Sequence, residues 1–221
     1  MIAKQLITSH VVPVEISDTG AFALLQMEEA RLSHLPVVDG AGFIGLITDK
    51  SILAAEDPEK EIGGNNYTLI NAAVTEQQHL YEVIKIFSTL NLSLLPVVSE
   101  KNKYLGAIVL STVVHALAEL VGLHEPGGII VLEINDKDYS LAEIVDVVES
   151  NDAKILSCFV TSLRDSTKLE VTIKLNRMEI GPQLHAFARL NYFVTSSWSK
   201  EDSYSEGLKD RFDALMNYLS I

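Results

Sequence analysis

The side chains here that could carry acid–base, nucleophilic or metal chemistry are six histidines, one cysteine and 30 aspartates and glutamates in 221 residues. His10, His34, His79, His115, His124 and His185 are scattered, and none stands at metal-ligand spacing. There is no Gly-x-Ser-x-Gly elbow, no Gly-x-x-x-x-Gly-Lys-Ser/Thr phosphate loop and no His-Glu-x-x-His pair. The lone cysteine, Cys158, lies in an apolar β-like run and reads as a buried small hydrophobe. One cysteine also excludes an intramolecular disulfide and a multi-cysteine zinc site. Carboxylates are plentiful, but spacing places no pair of them. The sequence therefore predicts recognition, not catalysis, and no metal.

The charge narrows what is recognised. With 17 Lys+Arg against 30 Asp+Glu, the formal net charge is −13. Nucleic acid and anionic membrane surfaces both require a surplus of cations, so neither is an expected partner. The composition, 48% hydrophobic and 21% charged, is that of a globular chain with ample core material. No run of 18 apolar residues and no signal-like N-terminal stretch is visible, and a cytoplasmic protein is expected.

The elements that must position any site come as a repeat. Ser33-His34-Leu35-Pro36-Val37-Val38 recurs as Ser93-Leu94-Leu95-Pro96-Val97-Val98, an offset of 60 with five of six residues identical. Upstream, Thr19 to Leu32 aligns with His79 to Leu92. In the second segment Leu80, Val83, Ile84, Phe87 and Leu90 have the spacing of a buried helix face. Before these helices, the β-like runs Val12-Pro13-Val14 and Ala72-Ala73-Val74 align. Phe43 to Ile47 aligns with Tyr104 to Ile108, and helices over Asp49–Ala55 and Leu110–Leu120 follow. Each copy thus reads strand, helix, two strands, helix. A three-stranded unit leaves a sheet face bare, and two copies can cover each other.

A helix, then Leu-Pro-Val-Val, a turn, and a hydrophobic-Gly-hydrophobic strand before a short helix resembles a cystathionine-β-synthase (CBS) domain. Two in tandem resemble a Bateman module, over about residues 1–120. The resemblance implies a regulatory pair that binds an adenine nucleotide, such as AMP or ATP, in clefts between the repeats. On this chain those clefts would draw on Val12, Pro13, His34, Leu35, Pro36, Thr48, Lys50, Ser51, Leu95, Pro96 and Thr112. In that family the strand ends Gly-x-x-Thr/Ser-x-x-Asp, where the hydroxyl bonds a phosphate and the Asp both ribose hydroxyls. The first copy reads Gly45-Leu-Ile-Thr48-Asp-Lys-Ser51, with Ser51 in the Asp position. The second reads Gly106-Ala-Ile-Val109-Leu-Ser-Thr112, with neither anchor. Lys50 and His34 are candidates to meet a phosphate. Each residue has a purely structural reading too. Thr48 can be a helix N-cap, His34 a packing residue, and Pro36 and Pro96 residues at strand starts. The acidic run Glu56 to Glu61 with Gly63-Gly64-Asn65-Asn66 reads as a solvated linker.

Pro126-Gly127-Gly128 breaks the chain. Beyond it come a strand over 129–134, a helix over Ser140–Glu149, strands over 155–161 and 168–175, a helix over 183–189 and a strand over 192–194. On 168–175, Leu169, Val171, Ile173 and Leu175 alternate with polar residues, one face buried and one wet. The order β-α-β-β-α-β is ferredoxin-like and resembles an ACT domain. A CBS pair followed by such a domain is similar to the acetoin-utilisation accessory proteins. The ACT loop Asp-Arg-Pro-Gly, whose glycine admits an amino-acid ligand, is replaced here by Asp136-Lys137-Asp138-Tyr139. The last segment carries Leu208, Phe212, Leu215, Met216 and Leu219 at helical spacing and is expected to dock on its own chain, a second copy or a partner protein.

The expected fold is α+β: a tandem CBS pair followed by a ferredoxin-like (βαββαβ) ACT-type domain. The divisions are 1–62, 63–125, 126–198 and a C-terminal amphipathic helix over 199–221. Two functions fit. One is a non-catalytic sensor, expected as a homodimer, that binds an adenine nucleotide weakened by loss of the ribose-binding Asp. The other is a ligand-free structural or dimerisation protein with degenerate sites.

Overall fold

The structure, a computed structural model, describes residues 1–199. It divides into two compact units, Met1–Leu117 and a second beginning at Ala118. The expected helix over 199–221 lies, from residue 200 onward, outside the described residues.

In the first unit, β1 (Val14–Glu15), α1 (Gly20–Ala30), β2 (His34–Asp39), β3 (Gly42–Thr48) and α2 (Asp49–Leu53) form one copy. The second copy is β4 (Val74–Thr75), α3 (Leu80–Leu90), β5 (Leu94–Val98), β6 (Tyr104–Val109) and α4 (Leu110–Leu120). Local chemistry explains the helix ends. The Thr19 hydroxyl accepts from the Phe22 N–H at 3.1 Å and caps α1. His79 does the same for α3 through Nδ1, which accepts from Tyr81 N–H at 3.2 Å. Arg31 and Asn91 close these helices in the left-handed region, at φ 55° and 52°.

The two sheets repeat each other strand for strand. β1 lies parallel to β2 and β4 parallel to β5, with Val14 opposite Val37 and Val74 opposite Val97. β3 and β6 run antiparallel to these central strands, and each pairing slips its register at the same place, after Val37 and after Val97. Pro36 and Pro96 are not at strand starts as expected. They are buried inside the central strands, opposite Leu46 and Ala107. This is tolerated because the short first strand of each copy begins pairing only one residue later, at Val37 and Val97.

What joins the copies is a reciprocal exchange of the segments that precede them. Thr8, ahead of the first copy, donates its N–H to Ala107 on β6 of the second, at 2.9 Å. Ile70, ahead of the second copy, exchanges two backbone bonds with Leu46 on β3 of the first, at 2.8 and 2.9 Å. Further out, Ala3 N–H bonds Gln78 and Lys4 N–H bonds Glu76, while Ile62 bonds Asp18 and Gly63 bonds Ile16. The hydrophobic core is correspondingly one cluster, in which Leu35, Leu46, Ile47 and Ile52 of the first copy pack with Leu80, Leu94, Leu95 and Ile108 of the second.

The glycine in each hydrophobic-Gly-hydrophobic strand marks this crossing. A Cβ at Gly45 would stand 2.9 Å from Leu69 Cβ, and one at Gly106 would collide with Ile7. Gly106 also has φ +145°, where an L side chain is strained.

The second unit holds β7 (Ile129–Asn135), α5 (Leu141–Glu149), β8 (Ile155–Ser162), β9 (Lys168–Leu175), α6 (Gly181–Arg189) and β10 (Phe193–Trp198). The sheet order is β10-β7-β9-β8, every neighbour antiparallel, which is the ferredoxin-like arrangement. Ile130, Leu132 and Ile134 of β7 and Val171, Ile173 and Leu175 of β9 meet Ile144, Val148 and Phe187 of the helices. β10 runs four residues beyond the expected 194. Thr195-Ser196-Ser197 is a polar stretch without a strand signal, yet it pairs with β7 across a bulge. The supposedly wet face of β9 is wet only in part: Lys174 is buried and its ammonium donates to the Gly127 carbonyl at 3.2 Å. Among the described residues no helix is long and apolar enough to cross a membrane.

The exchange of segments makes one substitution decisive. Gly106→Ala is expected to lower the unfolding free energy by about 1–3 kcal/mol in urea titration. Gly64→Ala, at a position with open space around it, is expected to change it by less than about 0.5 kcal/mol.

Candidate functional site

The first copy gathers its polar residues where β3 ends and α2 begins. His34 stands opposite Thr48 in the β2–β3 ladder, so one end of the sheet brings His34, Thr48, Asp49, Lys50 and Ser51 together. Thr48 is extended, at φ −113° and ψ 151°, and its hydroxyl accepts from Ser51 N–H at 3.0 Å. The Ser51 hydroxyl donates to the Thr48 carbonyl at 3.0 Å, and the Thr48 N–H donates weakly back to it at 3.4 Å. The two hydroxyls expected to meet a ligand thus form a capping box, and the structural reading of Thr48 as N-cap holds. Lys50 is exposed; Thr48 and Ser51 are half-buried.

His34 belongs to the seam between copies. It is 9% exposed. Its Nδ1 lies 3.0 Å from the hydroxyls of both Ser33 and Ser93, and accepts from the Ser93 N–H at 3.3 Å. The Ser33 N–H in turn donates to the Ser93 hydroxyl at 3.2 Å. Accepting an N–H leaves Nδ1 without a proton, so the ring is neutral in this geometry. Burial holds its pKa below the ordinary value of 6.5; Asp49 opposes that shift and Lys50 adds to it. Nδ1 is thus already engaged across the seam.

Other expected residues fall elsewhere. Leu35 and Leu95 are core, 1% and 0% exposed, because they sit mid-ladder under both copies. Pro36 and Pro96 are buried beside them. Val12 is exposed and Pro13 half-buried, just ahead of β1. In the second copy, the equivalent junction offers Val109, Leu110, Ser111 and Thr112. Leu94 takes the place of His34 and is fully buried.

Three residues near this junction or the seam were not singled out from the sequence. Ser33 and Ser93 are equivalent positions of the repeat, and their identity across an offset of 60 was the available signal. Tyr67 packs over Gly20, where Ile52 also approaches, with its hydroxyl buried and unpartnered among the described residues. Nothing in its local sequence signalled this.

In the second unit, the loop after β7 is a single 3-10 turn, Asp136–Asp138. Tyr139 follows it, half-buried against the core. A cavity of about 570 Å³ adjoins, lined among others by Glu133, Asn135, Asp138, Glu143, Lys168 and Tyr192. Its one cation, Lys168, pairs with Glu133, while Glu143 accepts from the Tyr192 hydroxyl at 2.6 Å and Asp138 from the Asn135 amide at 3.3 Å, so the lining is net acidic. Cys158 is half-buried, not fully buried as expected, because β8 is an edge strand; burial still pushes its thiol pKa up.

Comparison with known proteins places the first unit. Residues 3–57 and 71–119 each match the family model of the CBS domain, so this unit carries a tandem CBS pair. An inosine-5'-monophosphate dehydrogenase of Methanocaldococcus jannaschii is 28% identical over 109 residues, 49% of this chain. The match spans only 22% of the dehydrogenase's length. Among solved structures, a CBS domain pair/ACT domain protein of Thermotoga maritima is 25% identical, with a TM-score of 0.49, over 54% of this chain and 98% of that one. CBSX2 of Arabidopsis thaliana, solved in complex with AMP, is 22% identical, with a TM-score of 0.47, over 53% and 96%.

The His34 geometry has a pH consequence. A histidine whose folded pKa lies below its unfolded value binds its proton more readily in the unfolded chain. Stability of the first unit is therefore full above about pH 6.5 and falls as pH drops below it toward the folded value. Chemical denaturation at pH 7.5 and pH 5.5 should show the loss, and His34→Gln should show a smaller one. Equal losses in both proteins would rule His34 out as the source.

Proposed function

We propose that the protein is a non-catalytic regulatory protein whose tandem CBS pair takes an adenine nucleotide, AMP or ATP, at the strand–helix junction of the first copy. The observation that carries this reading is the asymmetry of the two junctions. The first copy offers Thr48, Asp49, Lys50 and Ser51, with hydroxyls and an exposed ammonium. The second offers Val109, Leu110, Ser111 and Thr112. A phosphate needs donors and positive charge, and only the first junction has both.

Affinity in this reading is modest. Replacing a bidentate carboxylate by the Ser51 hydroxyl at the ribose is worth about 1.5–3 kcal/mol, or about ten- to more than a hundredfold. Regulation follows if the nucleotide binds one arrangement of the pair better than another, since a ligand shifts an equilibrium only by its differential affinity. The second unit, read as an ACT-like domain as in the acetoin-utilisation accessory proteins, would serve homodimerisation. Residues 1–62, 63–125 and 126–198 are then the functional divisions.

The second reading, a ligand-free dimerisation or interaction protein, is favoured by one specific observation. The Thr48 and Ser51 hydroxyls already satisfy each other's backbone.

Isothermal titration of the full chain with AMP, ADP and ATP decides between them. The sensor reading expects one site per chain, weakened at least tenfold by Thr48→Ala and unchanged by Thr112→Ala. Ser51→Asp, which restores the carboxylate and keeps a capping acceptor, should tighten binding about ten- to a hundredfold. Absence of heat from all three nucleotides, for the wild type and for Ser51→Asp alike, would leave the ligand-free reading standing.

A further inference from the structure

The seam between the two copies is held differently at its two ends. Where the hairpin turns meet, Phe43 N–H donates to the Asn102 carbonyl at 3.0 Å and Tyr104 N–H to the Ala41 carbonyl at 2.9 Å. The Asn102 amide donates to the Phe43 carbonyl at 2.8 Å. None of these groups titrates. At the other end, where β2 and β5 begin, side chains hold the seam. His34 Nδ1 accepts from the Ser93 N–H, with the Ser33 and Ser93 hydroxyls 3.0 Å away, and Ser33 N–H donates to the Ser93 hydroxyl. Both serines also anchor a helix. The Ser33 carbonyl accepts from Asp49 N–H at 3.2 Å, at the start of α2, and the Ser93 carbonyl from Leu110 N–H at 3.3 Å, at the start of α4. α4 is the helix in which the chain leaves the first unit.

We propose that His34, Ser33 and Ser93 form a proton-operated latch, which releases this end of the seam while the hairpin end stays closed. A proton on Nδ1 turns the acceptor into a donor. Either hydroxyl can rotate to meet it. The Ser93 N–H is fixed by the backbone and cannot, so two donors face each other. The start of β5 then draws back, and the Ser93 carbonyl carries the first turn of α4 with it. The latch is single, because Leu94 stands at the equivalent position of the second copy and is fully buried. The charged groups that act on the ring are Asp49 and Lys50 of α2, and the second copy presents to it the uncharged Ser93. Burial is the largest influence and keeps the proton off in the closed state. A released ring returns to the ordinary value of 6.5. The open state therefore binds the extra proton, and opening becomes about tenfold more favourable per pH unit from 6.5 down to the folded value. Below that value both states are protonated and the gain stops. The latch needs no nucleotide and stands apart from the sensor reading.

Amide hydrogen exchange of the full chain, read by NMR from pH 7.5 to 5.5 and corrected for the intrinsic pH dependence of exchange, tests the latch. Protection of the Ser33 and Ser93 amides should fall about tenfold per pH unit below 6.5, in step with titration of the His34 ring. The Phe43 and Tyr104 amides should keep theirs. His34→Gln, whose side-chain oxygen can accept from the Ser93 N–H but takes up no proton, should remove the pH dependence. Ser33→Ala, which leaves the ring and the Ser93 N–H in place, should retain it. Ser33 and Ser93 protection that stays flat while His34 titrates would overturn the proposal. So would a pH dependence that survives in His34→Gln, or a loss shared equally by Phe43 and Tyr104, which would be unfolding of the whole unit. If His34→Gln does not fold, the wild type still decides: midpoints that differ between the His34 ring and the Ser93 amide would contradict the latch.

Discussion

The first unit depends on an exchange of backbone between its two halves. Each copy has only three strands, one of them two residues long, close to the smallest sheet that is stable by itself. Each supplies the other with a lead-in segment: Thr8 on Ala107, and Ile70 on Leu46. The glycines under these crossings, Gly45 and Gly106, follow from it, because a side chain there would occupy the path of Leu69 or Ile7. So does the single shared core.

The two copies differ most at one end of their sheets. Ser33 and Ser93 occupy equivalent places, but only the first is followed by a histidine. His34 reaches across to both hydroxyls and to the Ser93 N–H, while its counterpart Leu94 is plain core. The same end of the first sheet holds Thr48, Lys50 and Ser51. In the proposed reading the first junction takes the ligand, because the second, Val109 to Thr112, has hydroxyls but no cation. A group placed there lies beside a seam that ties the copies together. That proximity is the physical route by which occupancy would bias the geometry of the pair.

Much of the fold was legible in the sequence, for identifiable reasons. The offset of 60, the i, i+3, i+4 pattern of α3 and the alternation on β9 each report a strong constraint of burial. Short elements carried less information. β1 and β4 begin two residues later than the runs Val12-Pro13-Val14 and Ala72-Ala73-Val74 suggest, since only Val14 and Val74 reach a partner strand. The end of β10 is made of Thr195, Ser196 and Ser197, whose strand conformation is imposed by β7 and not by propensity. At the site, the Thr48 cap could be read from residue type and position. The engagement of His34 could not, because its partner Ser93 lies 59 residues away, and long-range polar pairs leave no local trace.

The central claim is that the two copies are one cooperative body, locked by exchanged segments. Native-state hydrogen exchange of the Thr8, Leu46 and Ile70 amides, followed in rising denaturant beside those of β2 and β5, tests it most directly. Convergence of all of them on a single opening free energy is expected. Crossing amides that open early and independently, while β2 and β5 converge on two separate values, would show two domains merely in contact.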